Sequence, residues 1–303
     1  MANVYPGYRG LANIPGIGQV RFADASITAR QEIRAEDLIM GDWDRDAYVY
    51  GPVTVEGTIS GPVTETFVSG GGTGLFGWGI TRSGTCGTLS DQQLTLYYYC
   101  GGTDSRARTF GTGQTGTGLL VNTLSFSCAA GDIATFSVDV MGKHAGSWLQ
   151  TDPPHFTTEE KLITWDKVNV QINPGDEDFT PPANLAFSNF DFTVENNLEV
   201  AYALNSGSGG VGQPDLFPFE IVPGLRSLSG TLSVYNTPES NGVDKWDDYL
   251  AGNIGTITFD IGGLAVTAKV RFHRVEPASS VGPIISTIGY TGTGHQTGSP
   301  WEA

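Results

Sequence analysis

Apolar and polar side chains alternate along most of this chain. Val53, Val55 and Ile59 alternate with Thr54, Glu56, Thr58 and Ser60, the pattern of a strand with one buried and one wet face. The same reading predicts strands over 19–22, 26–33 and 93–100, the last strongly aromatic. Residues 119–128 and 133–141 predict a hairpin across Ala-Ala-Gly-Asp. Strands are also predicted over 161–172, 190–204 and 225–235, with a closing hairpin, 254–261 and 264–272, across Gly262-Gly263. The best helix candidate is 242–250, where Asp244 can cap and Trp246, Tyr249 and Leu250 share a face. Residues 69–79, 101–118 and 173–182 read as loops rich in turn formers.

The predicted strands repeat. Residues 51–60 read GPVTVEGTIS and residues 224–233 read GLRSLSGTLS. Upstream, Ile27-Thr28 and Ile33 match Phe192-Thr193 and Leu198; downstream, TLSFS (123–127) matches TITFD (256–260). Three matches in one order imply a duplicated β-unit. The expected division is a first unit at 1–142, a linker at 143–160, a second unit at 161–275 and a Gly/Ser/Thr-rich arm or tail at 276–303. Between Ser60 and Thr123 lie 62 residues, but between Ser233 and Thr256 only 22. The first unit therefore carries an insertion, expected at about 80–120, and insertions of that length in compact β-structures are usually contact arms or functional loops.

Composition supports a mainly β chain. Its 303 residues include 42 glycines, only 39% are apolar and 16% charged, so Thr, Ser, Asn and Gly must cover much of the surface. The net charge of −16 is uneven: nine basic and 13 acidic residues up to 150 (−4), seven and 19 beyond it (−12). Such a chain repels phosphate and is not expected to clamp DNA. Three cysteines, Cys86, Cys100 and Cys128, fit a reducing compartment, although a Cys86–Cys100 bridge stays open. The first residues lack the apolar core of a secretion signal, and no apolar run reaches membrane-spanning length, so assembly in a cytoplasm is expected.

Reagents are hard to find. Residues 72–77 match G-x-G-x-x-G, but the segment after them is a poor helix, so a dinucleotide site is not supported. Asp42, Asp44 and Asp46 alternate like a calcium loop, yet Ala47 and Val53 stand where Gly and Glu are needed. Asp176-Glu177-Asp178 reads as a solvated loop. His144, His155, His273 and His295 have no metal-ligand spacing, and no nucleophile elbow occurs. Neither an enzyme nor a cofactor or metal is expected.

Three segments carry a resemblance. They are residues 14–38, the strand ending in GTISG (57–61) echoed by GTLS (230–233), and DKWDDYLAG (244–252) leading into the hairpin TITFDIGGLAVTAKVRF (256–272). Together they resemble the tail tube protein of long-tailed bacteriophages, over most of the chain outside 80–120 and the end after 276. The resemblance implies two tandem tail-tube-like β-sandwich units, each with at most a short flanking helix, whose strands join an intersubunit β-barrel. It implies stacked rings that form a tube, enclose the tape measure protein and pass double-stranded DNA without specific binding or membrane insertion. Tail terminator and distal tail or baseplate proteins are the implied partners at the ends. The common ring is a hexamer of single units; two units per chain imply a trimer with pseudo-sixfold symmetry. Thr54, Glu56, Thr58, Ser60, Ser227, Ser229, Thr231 and Ser233 are the expected lumen wall, with the tube's exterior as the alternative face. Tyr97, Tyr98, Tyr99, Arg106 and Arg108 are the expected inter-subunit or inter-ring arm. Another β-rich virion part, or a carbohydrate-binding β-sandwich, is the alternative.

Overall fold

The alternating segments build one long antiparallel sheet. The computed structural model describes residues 10–14, 18–36, 47–65, 68, 74–83, 88–89, 91–98, 106–111, 118–151, 161–173, 186–202, 218–235, 254–278, 285–294, 296 and 301. The sheet starts with β3 (Asp24–Ala25) and β4 (Thr28–Glu36), which both flank β5 (Ala47–Pro62). Next to β5 lie β11 (Thr135–Gly142), β10 (Leu119–Ala129), β14 (Phe187–Glu195) and β17 (Ser227–Tyr235). Then follow β20 (Ile285–Gly292), β19 (Leu264–Ala278), β18 (Ile254–Ile261) and β13 (Val168–Asn173). The chain is mainly β, and its sheets do not close within one molecule.

The sheet curls because its right-handed twist accumulates across so many strands. Phe259 of β18 lies 5.2 Å from Phe190 and 5.2 Å from Phe192 of β14, ring centre to ring centre, although three strands separate β14 from β18. The second half of the sheet thus folds over its own apolar face. In the first half a separate five-stranded sheet supplies the cover, in the order β12 (Leu149–Gln150), β9 (Arg106–Phe110), β8 (Leu94–Tyr98), β1 (Gly10–Ile14) and β2 (Gly18–Arg21). Its Ala12, Ile14, Leu94, Leu96 and Phe110 enter the same core as Val121, Leu124 and Val138.

Several expectations change. The insertion at 80–120 supplies β8 and β9, and so part of a core layer; β6 (Arg82–Ser83) and β7 (Thr88–Leu89) form a small separate ribbon. The linker begins docked: Gly111 N–H donates to His144 O (2.8 Å), and Gly146 N–H to Thr109 O (2.7 Å). The expected loose end at 276–303 instead contributes β20 to the middle of the sheet and buries Ile288, Tyr290 and Trp301. Glycines 289 and 292 dilute its alternation. A short helix, α1 (Leu75–Ile80), arises where a glycine-rich loop was expected. Its Trp78 is buried with the indole N–H donated to Leu119 O (3.0 Å), and a Cβ on Gly79 would meet Leu124 at 2.8 Å. The helix expected at 242–250 lies outside the described residues, as do Cys86, Cys100 and the acidic runs at 42–46 and 176–178.

The matched segments divide. Thr28 pairs with Glu56, and Thr193 with Ser229, so the first two strands of each half share one register relative to Gly57 and Gly230. The third match does not coincide in space. β11 of the β10–β11 hairpin pairs directly with β5, whereas β19 of the β18–β19 hairpin reaches β17 only through β20. By position and direction the partners of β10 and β11 are β19 and β20.

Candidate functional site

Period-two alternation turns the core-facing residues inward and leaves a polar outer face. Across six neighbouring strands, Ser60, Ser137, Ser125, Thr193, Ser229 and Thr291 stand directly opposite one another. On one side of this hydroxyl row runs Thr58, Asp139, Thr123, Glu195 and Ser227. On the other side run Thr135, Ser127, Asp191 and Thr231. The rows cross from the first half to the second at β10–β14 without a break.

Hydroxyls pair along the rows. Ser125 Oγ lies 3.0 Å from Thr193 Oγ1, and Ser127 Oγ 2.9 Å from Thr135 Oγ1. The acids take hydroxyl donors: Thr58 Oγ1 donates to Asp139 (2.6 Å), Ser227 Oγ to Glu195 (3.0 Å) and Thr231 Oγ1 to Asp191. At the β4 edge Arg30 lies 3.5 Å from Glu56, an exposed pair that salt screens easily. A shallow groove there is lined by Thr28, Arg30, Glu56, Thr58, Asp139 and Met141.

The expected wall residues fall on this face, with one exception. Thr54 stands opposite Arg30, Glu56 between Thr28 and Met141, and Ser60 between Asp24 and Ser137. Ser229 stands between Thr193 and Thr291, and Thr231 between Asp191 and Gly289. Ser233 keeps the same alternation but is buried, at 8% exposure, so it is not a surface residue of the chain. Asp139, Asp191, Glu195 and the Ser125–Thr193 pair were not singled out from sequence, although the same alternation in LLVNTLSFS, TFSVDVM and FDFTVE marks them.

The described residues of the expected arm sit on the paired strands β8 and β9, where Tyr98 stands opposite Arg106. Tyr97 is half-buried in β8 opposite Leu11. Tyr98 belongs to β8, and Tyr99 lies outside the described residues. Arg106 is exposed on β9, whereas Arg108 is used internally. Its Nε donates to Gly146 O (3.0 Å), and its guanidinium sits 5.3 Å from the Phe110 ring centre and 5.6 Å from that of Trp148.

Among the described residues no reactive group emerges. Burial and the nearby Asp132 push the Cys128 thiol up, so it stays protonated at neutral pH. Burial and Lys143 pull His144 down. Among the described residues no group of three or more His, Cys, Asp and Glu is placed to hold a metal, and no helix is long and apolar enough to cross a membrane.

A family model, described as phage tail tube protein, matches residues 4–294. The chain belongs to the phage tail tube family. This tail tube protein is therefore a structural component of the virion tail, and it assembles with copies of itself into a tube. No curated protein matches it. The polar face of the tail tube protein carries a second shallow groove, lined by Ser127, Thr135, Asn189 and Asp191.

Proposed function

We propose that the continuous polar face is the lumen wall of the tube, and that the protein acts mechanically rather than catalytically. The hydroxyl row across six strands carries this reading. Double-stranded DNA bears about one negative charge per 1.7 Å. A wall of Ser and Thr, flanked by Asp139, Asp191 and Glu195, holds a water film and offers phosphate few cations: Arg30 is paired with Glu56, and Arg271 stands opposite Thr291. The tube encloses the tape measure protein during assembly and conducts DNA on ejection, with terminator and distal tail proteins at its ends.

The shared register around Gly57 and Gly230 supports an internal duplication, and hence a ring of three chains with pseudo-sixfold symmetry. The outer edges of the long sheet are β4 and β13. Strand direction alternates along the whole path between them, so β13 of one chain continues the antiparallel pattern when it meets β4 of the next. Pairing these edges closes the ring and removes exposed edges.

Negative-stain microscopy of the purified chain should show rings or tubes with threefold or sixfold symmetry; a persistent monomer sinks the reading. For the wall, Glu56→Lys should slow DNA ejection while tubes still form, and unchanged ejection assigns this face to the exterior.

A further inference from the structure

Ten large hydrophobic side chains are exposed among the described residues, and six of them gather beyond the two ends of the β10–β11 hairpin. At the turn end stand Ile133, Leu162 and Trp165, exposed by 40%, 38% and 51%. They are held together by the Ile133–Thr164 bridge and by Trp165 N–H donating to Asp132 O (3.1 Å). At the open end a two-stranded ribbon projects, β15 (Leu198–Ala201) with β16 (Glu220–Pro223). It is seated on Leu120 and Met141 through Leu198 and Ile221, and Leu198 N–H donates to Asn122 Oδ1 (2.9 Å). On and beside this ribbon Phe219, Val222 and Leu225 are exposed by 50%, 44% and 91%. The eleven residues of β10 place the two groups about 35 Å apart at roughly 3.4 Å per residue.

We infer that these two ends are the stacking surfaces of the tube, the turn end of one copy seating on the ribbon end of the next. The inference rests on the tube reading above. A sheet that closes a ring through its edges joins neighbours sideways, perpendicular to its strands; only the strand ends are left to meet the rings above and below. The outer face supplies hydroxyls and carboxylates, so apolar surface for a contact between copies concentrates at the ends. The two groups differ and lie on opposite ends, which makes the contact heterologous and lets it repeat without closing. The occupant of each end is thus a second copy of this chain.

Two full-length variants test this. Leu162→Ser with Trp165→Ser disables the turn end; Phe219→Ser with Leu225→Ser disables the ribbon end. Far-UV circular dichroism should match the wild type, because all four side chains are exposed; Trp165→Ser and Leu225→Ser alone serve if a double variant misfolds. Each should form rings of wild-type diameter in negative stain, with at least a tenfold loss of pelletable tubes. Mixing the two leaves one intact junction per pair of rings, so stacks of two rings are expected. Wild-type tubes from either variant overturn the inference. So do folded variants that form no rings, which would place these residues in sideways contacts. A wild-type chain that forms neither rings nor tubes instead sinks the tube reading itself.

Discussion

Gly57 and Gly230 occupy matching places in the two halves, yet each is required by a different neighbour. A Cβ at Gly57 would meet Ile27 Cα at 2.4 Å and Ser26 O at 2.4 Å, where the chain passes from β3 to β4. A Cβ at Gly230 would meet Asp191 O at 2.2 Å and Tyr290 Oη at 2.2 Å. The first glycine lets two backbones approach. The second makes room for Tyr290 of β20, whose hydroxyl donates to Asp191 O (2.6 Å); at the matching place in the first half β11 presents Val140 opposite Gly57. A shared motif therefore marks a shared register, while the crowding that retains it has diverged.

The largest effect should come from the glycines. Gly57→Ala and Gly230→Ala should each cost about 3 kcal/mol in urea unfolding, the upper range for overpacking, because backbone atoms cannot yield. The two sites separate in a second background: Tyr290→Phe should lower the cost of Gly230→Ala and leave that of Gly57→Ala unchanged. Equal coupling at both sites would break the comparison. Next in size is the joint between the halves. Buried Asn196 donates to Gly79 O (2.8 Å) and Val121 O (3.0 Å) and accepts from Arg82 (3.2 Å). Asn196→Ala removes all three bonds, although Arg82 keeps Gly224 O (3.1 Å), and should cost about 2 kcal/mol in the same assay.

The smallest effect depends on pH. Burial and the nearby Asp191 hold the Tyr290 hydroxyl well above its ordinary value of 10. Above pH 10 the unfolded chain releases this proton while the folded chain keeps it, so stability is constant below that pH and falls above it. Tyr290→Phe should cost about 1 kcal/mol at neutral pH for the lost hydrogen bond, and should flatten the alkaline decline in urea midpoints between neutral pH and pH 11. An unchanged alkaline slope would locate the titrating group elsewhere.

Local alternation was enough to read the strands and the polar face, because each strand buries one side and wets the other. The turns were legible too: Gly131, Gly262 and Gly263 adopt positive φ at the two predicted hairpins. Sheet order was not legible. Whether β19 meets β17 or β20 depends on hydrogen bonds between residues far apart in sequence, and β20 hides its alternation behind Gly289 and Gly292. The aromatic strand at 93–100 looked like an arm because sequence does not show that β1, some 80 residues earlier, pairs with it. Arg108 looked available for a partner for the same reason; Gly146, Phe110 and Trp148 take it up.

The β10–β14 pairing has a kinetic side. From Thr123–Glu195 to Ala129–Asn189 it joins the two halves within one polypeptide, so this seam forms as the chain folds, at a rate independent of protein concentration. Only the remaining seams must wait for collisions between molecules. In the proposed three-chain ring, each chain enters assembly with one lateral joint already made, and nucleation is correspondingly of lower order in concentration than it would be for separate halves.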